Sequence, residues 1–286
     1  MNVRAAVRRT TVLAAATVLA LAGCSGGGGD GGDGGGTADA PATSTTSSAT
    51  ATAPPTAAGV PRPPLDACYA LSAEEAVAPT STAEPVDCAA SPTAVTYEVG
   101  ALDLYDAGHL LAVDSAQVQR TLAATCRAGL ASYLGTDETT LRLSVLRSVW
   151  FSPTLEQSDA GADWYRCDVI AVVAEATLGA LEPTMRGVLA DGVRTWGLCG
   201  TARPGEAGFQ RVACGLEHTW RATEVVDLGT GAYPGTEAAQ AAGDEPCQEA
   251  ARELAADALD YEWGYEWPTA EQWAAGQTWG TCWAPA

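Results

Sequence analysis

No lysine occurs in the 286 residues, and 15 arginines stand against 35 aspartates and glutamates. Without lysine there is no P-loop lysine, no Schiff-base chemistry and no attachment point for pyridoxal phosphate. The acidic excess also argues against nucleic acid, because affinity for a phosphate backbone rests on cations that displace counterions. Long apolar runs are missing too. The stretch over residues 11–22 is about a dozen residues, where a membrane-spanning helix needs roughly 20. HExxH and CxxC are absent, and outside the glycine-rich run at 23–36 there is no GxSxG or dinucleotide fingerprint. Gly229–Gly235 reads GxGxxxG, one residue too long, with Pro234 where a helix would have to start. It reads as a turn. No catalytic residue, metal ligand or cofactor is therefore assigned.

The amino terminus carries a different kind of signal. Arg4, Arg8 and Arg9 precede the apolar run, which closes on Leu21-Ala22-Gly23-Cys24. A charged start, a short apolar core and small residues before a cleavage point predict an export signal over 1–23. Leu-Ala-Gly-Cys resembles the lipobox of bacterial lipoproteins. That resemblance implies cleavage before Cys24 and acylation of its sulfur, of the palmitate kind, leaving a lipid-anchored protein on the extracytoplasmic face of the cell membrane. Two or three acyl chains hold durably, since each buried methylene contributes about 0.8 kcal/mol. Removal of residues 1–23 leaves 12 arginines against 35 acids, a net charge of −23. Residues 24–64 are Gly, Ser, Thr, Ala and Pro with scattered Asp, a disordered linker with nothing to bury.

The rest of the chain repeats itself. Pro153-Thr154-Leu155-Glu156-Gln157 through Cys167 lies without gaps on Pro268-Thr269-Ala270-Glu271-Gln272 through Cys282, in the frame PTxEQxxAGxxWxxC at an offset of 115. Val86, Cys88, Thr93, Glu98, Val99 and Leu102 match Val212, Cys214, Thr219, Glu224, Val225 and Leu228 at 126. Cys126 and Cys247 match at 121. Two tandem domains are expected, 65–180 and 193–286.

Each copy holds four cysteines, an even set that reads as a disulfide framework in an exported chain. Cys126 lies on the helical stripe Val118, Leu122, Cys126, Leu130, Leu134, and Cys247 lies on a similar one with Ala251, Leu254 and Ala258. Both point toward a core where Cys167 and Cys282 could meet them. The favoured pairs are Cys68–Cys88, Cys126–Cys167, Cys199–Cys214 and Cys247–Cys282. Strands are predicted at 94–102, 141–151, 163–174, 193–199, 219–228, 261–267 and 277–283. Longer helices are predicted at 115–134, capped by Asp114 or Ser115, and at 245–259. Thr154…Gln157 and Thr269…Gln272 are T-x-x-Q capping boxes of two short helices, which Gly161 and Gly276 suit as stops. The class is α+β: each domain a small antiparallel sheet with one longer and one short helix.

Val212-Ala213-Cys214-Gly215-Leu216-Glu217-His218-Thr219, Tyr233-Pro234-Gly235, helical Cys247 and Pro268…Trp273-Ala274-Ala275-Gly276…Cys282 resemble the actinobacterial septum-formation family of exported and lipid-anchored proteins. The resemblance implies association with the envelope and with septum formation. The first copy departs from it, with Pro92 in place of His218 and no Tyr-Pro-Gly.

Aromatics concentrate in the second copy. Tyr261-Glu262-Trp263-Gly264-Tyr265-Glu266-Trp267 alternates, so that one strand face carries four rings. Core packing accounts for such a face; a Trp/Tyr platform for a glycan or protein is the functional alternative. His218, Trp263, Tyr265, Trp267 and Trp273 are the candidate binding residues. Together these features suggest a non-enzymatic binding module whose partner is an envelope protein or cell-wall glycan. The rival is an enzyme that processes cell-wall glycan or peptide with carboxylates near His218, such as Glu217 and Glu224.

Overall fold

The computed structural model describes residues 60–286. The expected signal peptide, Cys24 and the linker up to residue 59 lie outside the described residues. In the first half the elements run β1 (Cys68–Tyr69), α1 (Ala73–Ala76), β2 (Ala94–Ala101), β3 (Tyr105–Asp106), β4 (His109–Leu110), α2 (Ala116–Leu134), α3 (Glu138–Arg142), β5 (Leu146–Phe151), α4 (Leu155–Asp159), β6 (Trp164–Ala174) and β7 (Thr177–Leu178). The second half follows with β8 (Leu198–Gly200), β9 (Arg211–Ala213), β10 (Trp220–Asp227), α5 (Thr236–Ala241), α6 (Asp244–Leu254), β11 (Gly264–Glu266), α7 (Ala270–Ala274) and β12 (Trp279–Pro285). Among the described residues no helix is long and apolar enough to cross a membrane.

Local sequence explains the main elements. Helix α2 starts where the Ser115 hydroxyl accepts the Val118 N–H at 3.4 Å, and it buries Val118, Leu122, Cys126, Leu130 and Leu134 along one stripe. Both capping boxes form. Thr154 accepts from the Gln157 N–H at 3.1 Å and Gln157 accepts in return at 3.0 Å; the Thr269–Gln272 pair does the same at 3.2 and 2.8 Å. Gly161 and Gly276 then take positive φ angles of 96° and 98°, the left-handed geometry that stops each short helix. Four elements differ from the sequence expectation. The strand expected over 193–199 starts only at Leu198, because residues 194–196 form a 3-10 turn in which Trp196 N–H donates to the Val193 carbonyl at 2.8 Å and Gly197 N–H to the Arg194 carbonyl at 3.1 Å. The segment expected as a strand from 141 begins only at Leu146, because Asp137 caps a short helix over 138–142 by accepting from Thr140 N–H at 2.7 Å. The helix expected over 245–259 ends at Leu254. The aromatic strand expected over 261–267 is reduced to 264–266.

Two mixed layers result, each an antiparallel sheet with its longer helix against one face. The first sheet has the order β1-β2-β6-β5, with β7 beside β6; the second has β11-β12-β10-β8-β9. In matched strands the two share one order, since β1, β2, β6 and β5 correspond to β8, β10, β12 and β11. Their register repeats as well. Glu98 pairs with Cys167 and Glu224 with Cys282, and each pairing follows a bulge, at Thr96/Glu98 and at Ala222/Glu224. The two sheets therefore share one strand order and one pattern of hydrogen-bond register.

Disulfides close both halves in the same way. Cys68–Cys88, Cys126–Cys167, Cys199–Cys214 and Cys247–Cys282 have Cα separations of 5.2, 5.4, 5.0 and 5.0 Å, within the ordinary range. Two of them tie the longer helix of each half to the central strand carrying Cys167 or Cys282. Each such bridge contributes about 2–4 kcal/mol, mainly by restricting the unfolded chain.

The halves are joined by backbone and core. Val145 N–H donates to the Trp196 carbonyl and Leu198 N–H to the Leu143 carbonyl, both at 2.8 Å, and the Arg142 guanidinium lies 4.1 Å from the Trp279 ring centre. One buried apolar cluster contains Leu130, Val145 and Val169 from the first half together with Leu198, Trp220 and Trp283 from the second. Both sheets therefore share part of their hydrophobic interior.

The opposite faces diverge. In the first half Asp168, fully buried, accepts from the Thr96 hydroxyl at 2.7 Å, and Arg166 brings Nε to 3.1 Å while lying over the rings of Tyr69 and Phe151. The Arg166–Asp168 contact is close but poorly directed for a hydrogen bond. Burial pushes the Asp168 carboxyl up to about 6, against the pull of Arg166 and the Thr96 hydroxyl. At the matching positions of the second half stand Ala222, Thr281 and a fully buried Trp283. That half closes the same face with an indole.

Candidate functional site

The two halves, alike in strand order and register, can be compared position by position. Where two copies share order, register and disulfides, a place that is filled in one and open in the other is a difference the sequence has built. The face of sheet two that carries α6 has such a place. It is a groove of about 480 Å³, within the usual range for ligand sites.

Strands β8 and β10 and the end of α6 form its walls. Val193, Leu198, Ala222 and Leu254 supply apolar surface, the Cys199–Cys214 disulfide lies along one side, and Ala286 lies at the rim. Three basic side chains face it: Arg194, His218 and Arg221. No aspartate or glutamate side chain is among its lining residues. In a chain of net charge −23 after residue 23 that is a local inversion of sign. Arg194 has an exposed ion pair with Asp191 at 3.7 Å, whereas Arg221 has no ion-pair partner among the described residues. The Thr223 hydroxyl is buried without a hydrogen-bond partner. Thr223 is the bulged residue between Ala222 and Glu224 and is among the residues that line the groove.

His218 is held by its own turn. Nδ1 lies 2.7 Å from the Leu216 carbonyl oxygen, which leaves Nε2 available to the groove. Its ring nitrogen and the sulfurs of Cys199 and Cys214 lie within 4.8 Å of one another, a grouping that could suggest a metal site. Those sulfurs are bonded to each other, so neither is a thiolate, and a single imidazole is a poor ion cage. Glu217 and Glu224 are exposed and do not line the groove.

The aromatic candidates lie elsewhere and are packed. Trp273 is 9% exposed; its indole N–H donates to the Gly231 carbonyl at 2.9 Å and its ring meets Tyr233 edge-on. Tyr265 is buried with Val226, Cys247 and Cys282, and Trp263 and Trp267 are half-buried against that cluster. None of the four lines the groove. Thus the strand alternation was real, but its aromatic side faces the core beneath α6, as ordinary packing requires. Of the five sequence candidates only His218 reaches the groove. Leu254, expected on the core-facing stripe of Cys247, is instead 51% exposed at the groove, because the helix ends there; Arg194, Arg221 and Thr223 join it, and one of them left a signal in the sequence. At the duplication offset of 126, Arg221 and His218 replace Val95 and Pro92.

A family model described as septum formation matches this chain over residues 142–282. The septum-formation match begins at the end of α3, takes in β5, α4 and β6 of the first half, and runs through the second half to Cys282. It covers nearly half of the chain and contains every residue of the groove except Ala286. No curated protein and no solved structure matches the chain. The septum-formation match supports a role in septum formation, and the four disulfides point to an oxidising, extracytoplasmic compartment.

Proposed function

We propose that this chain is a lipid-anchored, extracytoplasmic binding module of the actinobacterial cell envelope, associated with septum formation and built from two tandem septum-formation-type copies. Cys24 carries the lipid anchor in this reading, and residues 24–64 hold the folded head away from the membrane. The head acts non-enzymatically, by binding through the second-half groove. The observation that carries the reading is the groove itself: apolar walls, three basic side chains and no carboxylate side chain on an otherwise strongly acidic surface. An acid–base enzyme would need carboxylates converging on His218, and the lining supplies arginines instead.

Two experiments test the two parts. Metabolic labelling with an alkyne palmitate analogue should mark the wild type and not Cys24→Ser; equal labelling would remove the anchor. A photo-crosslinking amino acid in place of Leu254, in the native envelope, should give a discrete adduct. If Leu254 yields none while an exposed position on the far side, such as Leu155, does, the groove is not the binding surface.

A further inference from the structure

What fills the matching site in the first half defines the chemistry of an occupant in the second. There the segment 181–189 lies over the sheet face. Leu181 N–H donates to the Pro92 carbonyl at 2.7 Å, the Pro183 carbonyl lies 4.0 Å from the Cys68 sulfur, Gly187 N–H donates to the Tyr133 carbonyl and Leu189 N–H to the Leu134 carbonyl, both at 2.9 Å. Leu181, Met185 and Leu189 are buried in the core cluster with Val95, Tyr97 and Tyr133. Pro92, Cys68 and Tyr133 correspond to His218, Cys199 and Leu254, which all line the groove. Tyr97 and Tyr133 stack at 5.4 Å in the first half; their counterparts Thr223 and Leu254 are smaller and stand open, Leu254 being 51% exposed. Among the described residues no segment occupies the second site.

Charge at the two sites is reversed. Arg186 of the first-half segment pairs with Asp66 at 3.8 Å. The second half has Gly197 at the position of Asp66, and Arg221 and His218 where the first has Val95 and Pro92. An occupant of the second groove meets cations where the first-half segment meets a carboxylate. The chain's own linker does not supply one, because residues 24–59 contain no Leu, Ile, Val, Met or Phe.

Resting on the reading that this groove is the binding site, we propose that it takes an irregular segment of a partner protein. That segment carries aliphatic anchors four residues apart, in the spacing of Leu181, Met185 and Leu189, with an acidic residue beside the middle anchor. The anchors fill the apolar floor, a backbone N–H meets the His218 carbonyl, and the acidic group meets Arg221.

The test uses the full-length protein in detergent and a fluorescein-labelled peptide of residues 180–190 carrying Arg186→Glu. It should bind at least tenfold more tightly than the same peptide with Met185→Ser and Leu189→Ser. Arg221→Glu, an exposed and unpaired position, should weaken the acidic peptide about tenfold and favour the peptide that keeps Arg186. Equal binding of the anchored and serine peptides, no binding, or indifference to Arg221→Glu overturns the proposal. The Leu254 crosslink separates this failure from failure of the site: an adduct with glycan, lipid or a second copy of the chain leaves the groove a binding surface and overturns the partner segment. No adduct at all overturns both.

Discussion

The two halves of this chain share strand order, register and disulfide placement, and they use the same sheet face differently. In the first, residues 181–189 cover the face beside α2 and the Tyr97 hydroxyl is satisfied by the Cys126 carbonyl and by Ser148. In the second, no described segment covers the face beside α6, and the equivalent hydroxyl, on Thr223, is left without a partner. The scaffold cannot be the cause, because strand order, bulge and disulfides are shared. The difference lies in one covering segment and in a few side chains. A surface can thus be specialised for binding by omitting a cover while the sheet beneath stays unchanged, and the first half shows what that cover looks like when it belongs to the same chain.

The comparison can be broken at several strengths. The largest effect is expected from the paired disulfides: Cys126→Ser with Cys167→Ser, or Cys247→Ser with Cys282→Ser, should each cost about 3–4 kcal/mol in denaturant unfolding of the oxidised protein. Because the halves share core, either change should lower the midpoint of one common transition; two separable transitions would show that they fold independently. Trp273→Ala should destabilise by about 3 kcal/mol through lost packing and the lost bond to Gly231, leaving groove ligands unaffected in the folded protein. A binding loss with unchanged stability would restore the aromatic-platform reading. Leu189→Ala, in the first-half cover, should cost about 2–4 kcal/mol in the same assay. His218→Ala and Arg221→Ala, at the open site, should move stability by less than about 0.5 kcal/mol.

The pH dependence sharpens the contrast on the opposite faces. The Asp168 carboxyl, held near 6 in the fold against about 4 when unfolded, binds a proton more readily in the native state. Its contribution to stability is complete below about pH 4 and is lost as pH rises toward 6. Asp168→Asn should flatten that slope in urea titrations run from pH 4 to 7. The same variant should lower stability at neutral pH, because Arg166 is left buried without its counter-charge. An unchanged slope would mean that Asp168 titrates normally.

Much of this architecture was legible because it rests on local rules. The α2 stripe, both capping boxes, the glycine stops and the cysteine partners all follow from periodicity and from matching one copy to the other. What escaped did so for physical reasons. The helix over 138–142 is shorter than two turns and rests on the Asp137 cap, which a five-residue window in an apolar stretch conceals. The aromatic run gave the right alternation but not its side, since a strand facing a helix and one facing solvent alternate alike. Residues 181–189 have no period at all, so nothing in their order shows that they cover a sheet. The groove was hidden for the same reason: it is made by a segment that one half has and the other lacks. Only Arg221 and His218, set against Val95 and Pro92, marked the place in the sequence.

Hydroxyl-radical footprinting of the intact protein compares the two faces most directly, residue against counterpart. Leu254 and His218 should label readily while Tyr133, Pro92 and the intrinsically reactive Met185 stay protected, and the acidic peptide should protect Leu254 and His218 alone. Equal labelling of Leu254 and Tyr133, or a reactive Met185, would contradict the claim that one half is covered where the other is open.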